Sequence, residues 1–167
     1  GLKEVEPNLH VLTPLYVPAF GADAMRAFNR VALAAQVKVA MRWLGMSRPI
    51  TWAFLPSAAQ VAGAIGESLV IYHVVDEFSA FSDASPQVAE MERQLLTRAD
   101  LVIASAEPLR DSKSKVNANT VLVRHGVDFA HFSKALDPAT EIPADLAALP
   151  GPIVGFFGLV ADWIDLR

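Results

Sequence analysis

The sequence contains no cysteine among its 167 residues. Disulfide bonds, catalytic thiolates and cysteine-based zinc sites are therefore excluded, and the absence fits a reducing compartment such as the cytoplasm. The histidines show no spacing typical of a metal site. They are His10, His73, His125 and His131. The residues themselves thus give no support for a bound metal.

Excess positive charge and long apolar runs are also lacking. The chain has 14 Lys and Arg against 18 Asp and Glu, a net charge of −4, so it has no overall attraction to nucleic acid. It contains no run of about 18 apolar residues, the length that a membrane-spanning helix needs. Its hydrophobic fraction is nevertheless 53%, which is enough for one domain with a substantial core.

Short apolar runs alternate with helical patterns along most of the chain. Strands are predicted at residues 8–12, 50–55, 69–75, 100–105, 119–123 and 152–157. Helices are predicted at residues 23–44, 58–65, 86–99 and 106–115. This alternation is typical of a parallel α/β sheet with helices on both faces.

The longest predicted helix begins at Asp23 and ends at Gly45, which suits the left-handed conformation that terminates helices. No acidic residue follows Asp23 within it. The periodicity predicts a packed face, which consists of Met25, Phe28, Ala32, Ala35, Val39 and Trp43. The cations lie away from that face; they are Arg26, Arg30, Lys38 and Arg42.

A change in composition separates the last part of the chain from the rest. The segment "DPATEIPADLAALPGP" is rich in proline and alanine, which is typical of a connector. We therefore predict one domain over residues 1–136, a linker over 137–151 and the start of a second domain over 152–167.

The first candidate site lies where the predicted strand 69–75 ends, in the segment "YHVVDE". His73 is followed by Asp76 and Glu77. Ligands of parallel α/β sheets bind beyond the carboxyl ends of the strands, and a carboxylate at that edge avoids the cost of burial. The alternative is structural: Asp76 then caps a turn and His73 is a core histidine with satisfied hydrogen bonds.

Two further candidate sites follow later strands. In "VRHGVD", Gly126 permits a tight turn and holds His125 in a short loop, while Asp128 can cap the helical turn "FAHF". In "GFFG", Gly155 and Gly158 would let a backbone approach a phosphate closely. The alternative for the first is a plain connection between a strand and a helix, and the second lacks the spacing of a known phosphate-binding loop.

Four segments in order resemble one enzyme family. They are "YHVVDEFSAF", "ADLVIASAEPL", "VLVRHGVDFAHF" and "PIVGFFGLVADWIDL". Together they resemble GT-B glycosyltransferases of the large retaining "group 1" kind, with most similarity to the teichuronic-acid and exopolysaccharide-type branch. The resemblance covers residues 8–167.

The resemblance implies two Rossmann-like domains that face a cleft, an N-terminal one for the acceptor and a C-terminal one for most of the nucleotide-sugar. This chain would be the N-terminal half of that fold. The first strand of the family would precede residue 8 and the donor-binding half would follow Arg167. We therefore expect that the chain alone does not turn over substrate.

The resemblance also implies roles for the candidate residues. His73 and Asp76 would be catalytic, and the substrate would be bound by Glu77, His125, Gly126, Gly155 and Gly158. The donor would be a nucleotide-sugar and the acceptor a carbohydrate or a lipid-linked molecule, with no metal or other cofactor and no nucleic acid. A cytoplasmic location at the inner face of the membrane, peripheral membrane contact through the cationic helix, and a homodimer through residues 152–167 are further expectations.

The chain departs from the family pattern at two positions. His125 stands where the family has asparagine, and His73 stands where an acid is common. Two alternatives therefore stay open: a GT-B-like sugar epimerase, and a non-catalytic flavodoxin-like interaction domain with Asp76 and Glu77 as an acidic pair. Receiver domains of the latter type need an aspartate and a lysine on later strands, whereas "DLVIAS" ends in Ser105.

Overall fold

The computed structural model describes residues 1–17, 23–81, 84–160 and 164. The side chains of Asp23 and Arg26 lie outside the described part, so the predicted cap by Asp23 does too, as does most of the "DWIDL" segment. The chain divides into two compact units, Gly1–Arg124 and His125–Arg167. The predicted division into functional domains stays a prediction.

The first unit begins with an antiparallel hairpin and continues with alternating helices and strands. The hairpin consists of β1 (Leu2–Glu6) and β2 (Leu9–Leu12). Strands β3 (Ile50–Ala53), β4 (Leu69–Val74), β5 (Leu101–Ala104) and β6 (Thr120–Leu122) follow. The helices are α1 (Asp23–Trp43), α2 (Pro86–Arg98) and α3 (Glu107–Lys113), with 3-10 turns at Pro56–Gln60 and Phe78–Ala80.

The four later strands form one parallel sheet in the order β3-β4-β5-β6. In register, Trp52 lies beside Ile71, and His73 lies beside Ile103. Each crossover contains a helix or a 3-10 turn, as parallel pairing requires. The predicted Rossmann-like α/β fold with a parallel sheet flanked by helices is confirmed.

The core lies on one face of this sheet. Alternate residues of β4 point the same way, and Tyr72 and Val74 are fully enclosed. They pack with Val102 of β5 and with Leu95 of α2 in one apolar cluster. This packing explains why the predicted helix 86–99 forms: Pro86 suits a first helical position, and the apolar side of α2 covers the sheet.

The hairpin differs from the prediction. The sequence predicts a short strand at residues 8–12 but none before it, whereas β1 and β2 pair with each other in a separate two-stranded sheet. Pro7 and Asn8 form the turn, and Asn8 has a positive φ of 64°, a conformation that asparagine tolerates. The segment "LKEVE" gives little sign of a strand because charged residues occupy three of its five positions.

Helix α1 ends as predicted. Gly45 adopts a φ of +65°; the Met46 N–H donates to the Met41 carbonyl at 2.9 Å, and the Gly45 N–H donates to the Arg42 carbonyl at 3.3 Å. These two bonds form a Schellman motif, which satisfies carbonyl groups at the helix end.

The predicted packed face of α1 is wrong. Phe28, Val39 and Trp43 are exposed, Trp43 to 79%, whereas Asn29 is 2% exposed. The side of α1 that faces the protein is held by side-chain amides instead. The Asn29 amide donates to the Val17 carbonyl and accepts from the Val17 N–H, at 2.9 and 3.1 Å. Gln36 bonds both backbone groups of Leu15 in the same way. The spacing of apolar residues therefore cannot predict a helix side that binds a loop through side-chain amides.

The second unit contains α4 (Phe129–Phe132), a 3-10 turn at Ser133–Leu136 and α5 (Ala144–Ala147). The predicted capping of the turn "FAHF" by Asp128 is confirmed, since the His131 N–H donates to Asp128 Oδ1 at 2.9 Å. Residues 152–157, predicted as a strand, have no regular secondary structure. A strand requires a neighbour for its backbone hydrogen bonds, and no described strand pairs with this segment.

Within the described residues, no helix has the length and apolar character needed to cross a membrane.

Candidate ligand site at the carboxyl edge of the sheet

The loop after β4 turns sharply away from the sheet. Strand β4 ends at Val74, and Phe78–Ala80 forms a 3-10 turn. The rings of Phe78 and Phe81 meet edge to face at 6.0 Å. Asp76 is exposed, and its Oδ1 accepts a hydrogen bond from the Glu77 N–H at 3.2 Å. The loop therefore presents the Asp76 carboxylate to solvent at the carboxyl edge of the sheet.

A buried lysine anchors this loop. Lys113 Nζ donates to Glu77 Oε1 at 2.7 Å and to Oε2 at 2.9 Å, and to Glu92 Oε2 at 3.0 Å. Both Lys113 and Glu92 are only 5% exposed. Because both oxygens of Glu77 are engaged, and Ser79 Oγ also donates to Oε1 at 2.8 Å, Glu77 fixes the loop. Its predicted part in substrate binding remains a prediction.

The anchor extends into the core through a tyrosine. Tyr72 Oη donates to Glu92 Oε1 at 3.1 Å. Burial, followed by the negative charges of Glu92 and Glu77, raises the pKa of Tyr72 well above its usual value. The hydroxyl group therefore stays protonated and remains a donor. We call Tyr72, Glu77, Glu92 and Lys113 the Lys113 cluster; it joins β4, its following loop, α2 and α3.

Nothing in the sequence distinguishes Lys113 and Glu92 from solvated helix residues. Both lie in short helices among other charges, and their partners are 21 to 36 residues away along the chain. Only the packing of α2 and α3 against neighbouring strands of the same sheet brings them together. The sequence around Lys113 therefore does not predict that its side chain is buried.

The end of β5 supports the same edge. The Ser105 N–H donates to the Val74 carbonyl at 3.1 Å, and Ser105 Oγ donates to the Val75 carbonyl at 3.3 Å. These bonds hold the backbone immediately before Asp76. The position of Asp76 is thus set from two sides, by Ser105 and by the Lys113 cluster.

His73 lies on the opposite face of β4 from Tyr72, in contact with aromatic rings. Its ring centre is 5.0 Å from that of Phe54 and 6.2 Å from that of Trp52. Trp52 and Phe54 stack on each other, with ring centres 6.5 Å apart and an angle of 12° between the rings. The histidine is half-buried in this arrangement, near the strand end that also leads to Asp76.

A large open cavity adjoins the aromatic pair. It has a volume of about 1500 Å³ and is bounded by α1, the end of β3, the 3-10 turn Pro56–Gln60 and the first half of α2. Trp52 and Phe54 line it, together with Leu33 of α1. The cavity therefore extends from the neighbourhood of His73 along the edge of the sheet.

The other predicted site residues belong to the second unit. Gly126 does not have a positive φ, whereas Gly158 does, at +153°. Because residues 152–157 form no strand, the strand end expected beside Gly155 and Gly158 is absent from the described structure. His125 follows directly after Arg124, whose guanidinium pairs with Glu107 at 2.7 Å in the first unit.

Among the residues that the structure describes, no group of three or more His, Asp or Glu side chains is placed to hold a metal ion. The expected independence from metal stays a prediction.

The sequence matches no protein-family model, and a search of curated proteins finds no match. The resemblance to GT-B glycosyltransferases therefore depends on the motifs quoted above and on the parallel fold.

Proposed function

We propose that the chain is the acceptor-side domain of a glycosyltransferase that moves a sugar from a nucleotide-sugar to a carbohydrate or lipid-linked acceptor. One observation carries the proposal. An exposed carboxylate, Asp76, is held on a fixed loop at the carboxyl edge of a parallel sheet, three residues after a histidine near the end of the same strand. Ligands of such sheets bind at this edge.

In the proposed reaction, Asp76 accepts a hydrogen bond from a hydroxyl group of the acceptor. In this proposal His73 exchanges a proton with the reacting hydroxyl, and one of its ring nitrogens, both of which are buried in this structure, becomes accessible when the acceptor binds. Charge that develops on the leaving diphosphate is stabilised by the donor-binding half, in which we place Gly155 and Gly158.

The anchoring of the loop suits this role. A side chain contributes to catalysis only if it is held close to its productive geometry before the substrate arrives. The Lys113 cluster supplies that support, because Lys113 bonds Glu77, the residue directly after Asp76. A loop that served only as a connection would not require a buried ion pair.

The first prediction concerns turnover. In an enzyme that joins this domain to a donor-binding half, Asp76→Asn and His73→Ala should each lower kcat/KM by about 100-fold or more, in the range typical of a lost acid–base group. Thermal unfolding of Asp76→Asn should barely change, since Asp76 is exposed, and His73→Ala should lower stability far less than it lowers turnover. The measurement is transfer of a labelled sugar from its nucleotide-sugar to the acceptor.

The control for this assay is Asp111→Asn, which neutralises an exposed carboxylate in α3 that pairs with Arg110. It should leave transfer unchanged. If Asp76→Asn and His73→Ala unfold readily while the folded fraction keeps full activity, both residues are structural and the proposal fails. Isomerised nucleotide-sugar without transfer would instead indicate the sugar epimerase, and labelling of Asp76 by a phosphodonor would indicate the flavodoxin-like interaction domain.

We further propose that α1 contacts the cytoplasmic face of an anionic membrane. Its exposed apolar side chains include Phe28, Val31, Val39 and Trp43, and the exposed cations Lys38 and Arg42 border that side of the helix at about 100° per residue. No acidic residue occurs between positions 24 and 43. Apolar side chains beside cations match the interface of an anionic bilayer.

Vesicle binding tests this contact. Vesicles with one third phosphatidylglycerol should bind the chain, and vesicles of pure phosphatidylcholine should not. The double variant Lys38→Glu, Arg42→Glu should weaken the binding at least tenfold, because charge attraction supplies about 1 kcal/mol per cation near the surface. The matched control is the double reversal Lys115→Glu, Arg110→Glu in and after α3. Equal loss in both double variants, or binding that survives reversal of Lys38 and Arg42, contradicts the contact.

A further inference from the structure

Trp52 and Phe54 form a pair of parallel aromatic rings that remain half exposed. They lie two residues apart along β3 and its extension, so their side chains share a face. The angle between the rings is 12°, and the two residues are 53% and 48% exposed. Large aromatic side chains are normally buried for their apolar area. A neighbouring pair that remains half exposed is typical of a binding surface.

Polar groups surround this aromatic surface in the cavity wall. Gln60, Gln87 and Gln94 contribute amides and Arg30 contributes a guanidinium. Glu90 also lines the cavity, but its carboxylate already accepts hydrogen bonds from Arg93 and Gln94. The bond from Arg93, and to a lesser degree the bond from Gln94, lower the pKa of Glu90 to about 2. The cavity thus combines an aromatic floor with hydrogen-bonding groups, and the charge of Glu90 is compensated.

These features match one chemical class of ligand. A pyranose ring has flat apolar C–H faces and a rim of hydroxyl groups. An aromatic ring contacts the C–H face, and amides and guanidinium groups bond the hydroxyls. The volume of about 1500 Å³ exceeds the 300–1,000 Å³ that is usual for small-molecule pockets. It therefore has room for several linked sugars.

We infer that Trp52 and Phe54 are the stacking platform for an oligosaccharide that binds in this cavity. The ring centre of Phe54 is 5.0 Å from that of His73, so a sugar on the platform lies next to the residue to which the proposed function gives proton transfer. The assignment of this sugar as the acceptor rests on the proposed function. The binding of carbohydrate by the platform does not.

Carbohydrate binding by the chain itself tests the platform. Binding is measured by isothermal titration calorimetry with linear trisaccharides of glucose, mannose, galactose and N-acetylglucosamine, each at up to 20 mM. At least one should bind in a saturable way. Trp52→Ala should weaken that binding at least tenfold, as should Phe54→Ala, whereas Trp43→Ala should retain it because Trp43 lies on the exposed side of α1.

Several outcomes would overturn the platform. One is that none of the four trisaccharides binds. Another is that Trp52→Ala leaves the binding intact. A third is that uridine or adenosine binds at Trp52 more tightly than any trisaccharide does. Circular dichroism spectra and melting temperatures of the variants exclude loss of folding as the cause, and Trp52→Phe should restore part of the affinity.

If sugar binds but no transfer is detected in the joined enzyme, only the proposed function fails. If transfer occurs with an unchanged acceptor KM in Trp52→Ala, only the platform fails.

Discussion

Replacing Lys113 by methionine should lower the free energy of unfolding by about 3–5 kcal/mol, the usual cost of removing one partner from a buried ion pair. Methionine fills a similar volume, so the loss measures charge rather than packing. Lys113 is 5% exposed and its ammonium group bonds Glu77 and Glu92. Without it, the buried carboxylate of Glu92 keeps only the hydrogen bond from Tyr72.

A double substitution separates charge from shape. Lys113→Met combined with Glu92→Gln removes both buried charges, and an apolar or neutral replacement of a whole buried pair is often close to neutral. We therefore expect the double variant to recover most of the loss. Urea unfolding of the two single variants and the double variant completes the cycle. Losses of Lys113→Met and Glu92→Gln that simply add in the double variant would show that the two buried charges do not interact, and this would contradict the account.

An exposed pair supplies the matched control for this cycle. Arg93 bonds Glu90 on the outer side of α2 at 2.7 Å between nitrogen and oxygen, a distance as short as that between Lys113 and Glu77. Because water and salt screen exposed charges, Arg93→Met should not change the stability measurably. The comparison isolates burial as the cause of the effect at Lys113.

The second large effect is expected in the core. Leu95→Ala should lower the free energy of unfolding by about 2–5 kcal/mol, since truncating a buried leucine loses apolar burial and leaves a cavity. Leu95 is fully enclosed between α2 and the sheet, in the cluster with Tyr72 and Val102. Thermal or urea unfolding measures the loss.

Val39→Ala in α1 is the control for that truncation. The periodicity of the sequence places Val39 in a packed face, whereas the structure leaves it 53% exposed. Its truncation should therefore change the stability by less than about 0.5 kcal/mol, as is usual for surface substitutions. A loss at Val39 comparable to that at Leu95 would show that α1 packs through its apolar side after all.

Much of the sheet was predictable because its signals are local. The apolar runs at β3, β4, β5 and β6 are short, separated by helices and rich in β-branched residues. Such runs are buried on both faces only in parallel sheets. The turn signals were equally local: Gly45 ends α1, and Asp128 caps α4.

The features that escaped prediction depend on distant partners or on polar packing. The orientation of α1 is set by Asn29 and Gln36, which bond the loop before the helix. The Lys113 cluster needs three elements to converge. Residues 152–157 have the composition of a strand, but composition supplies no neighbouring strand.

The candidate site was predictable in part. The position of Asp76 just after a strand followed from the apolar run of β4. The anchoring of Glu77 by Lys113 did not, because their separation of 36 residues leaves no local pattern. The contact of His73 with Trp52 and Phe54 also needed the parallel register between β3 and β4.

The central claim is that the carboxyl edge of the parallel sheet is the ligand site, and mapping of backbone amide shifts tests it most directly. The chain is labelled with ¹⁵N and titrated with the trisaccharide that binds best. The account predicts shifts at Trp52, Phe54, His73 and Asp76, with the amides of α3 outside the affected region. Shifts confined to α3 or to the second unit, with none at the end of β4, would contradict it.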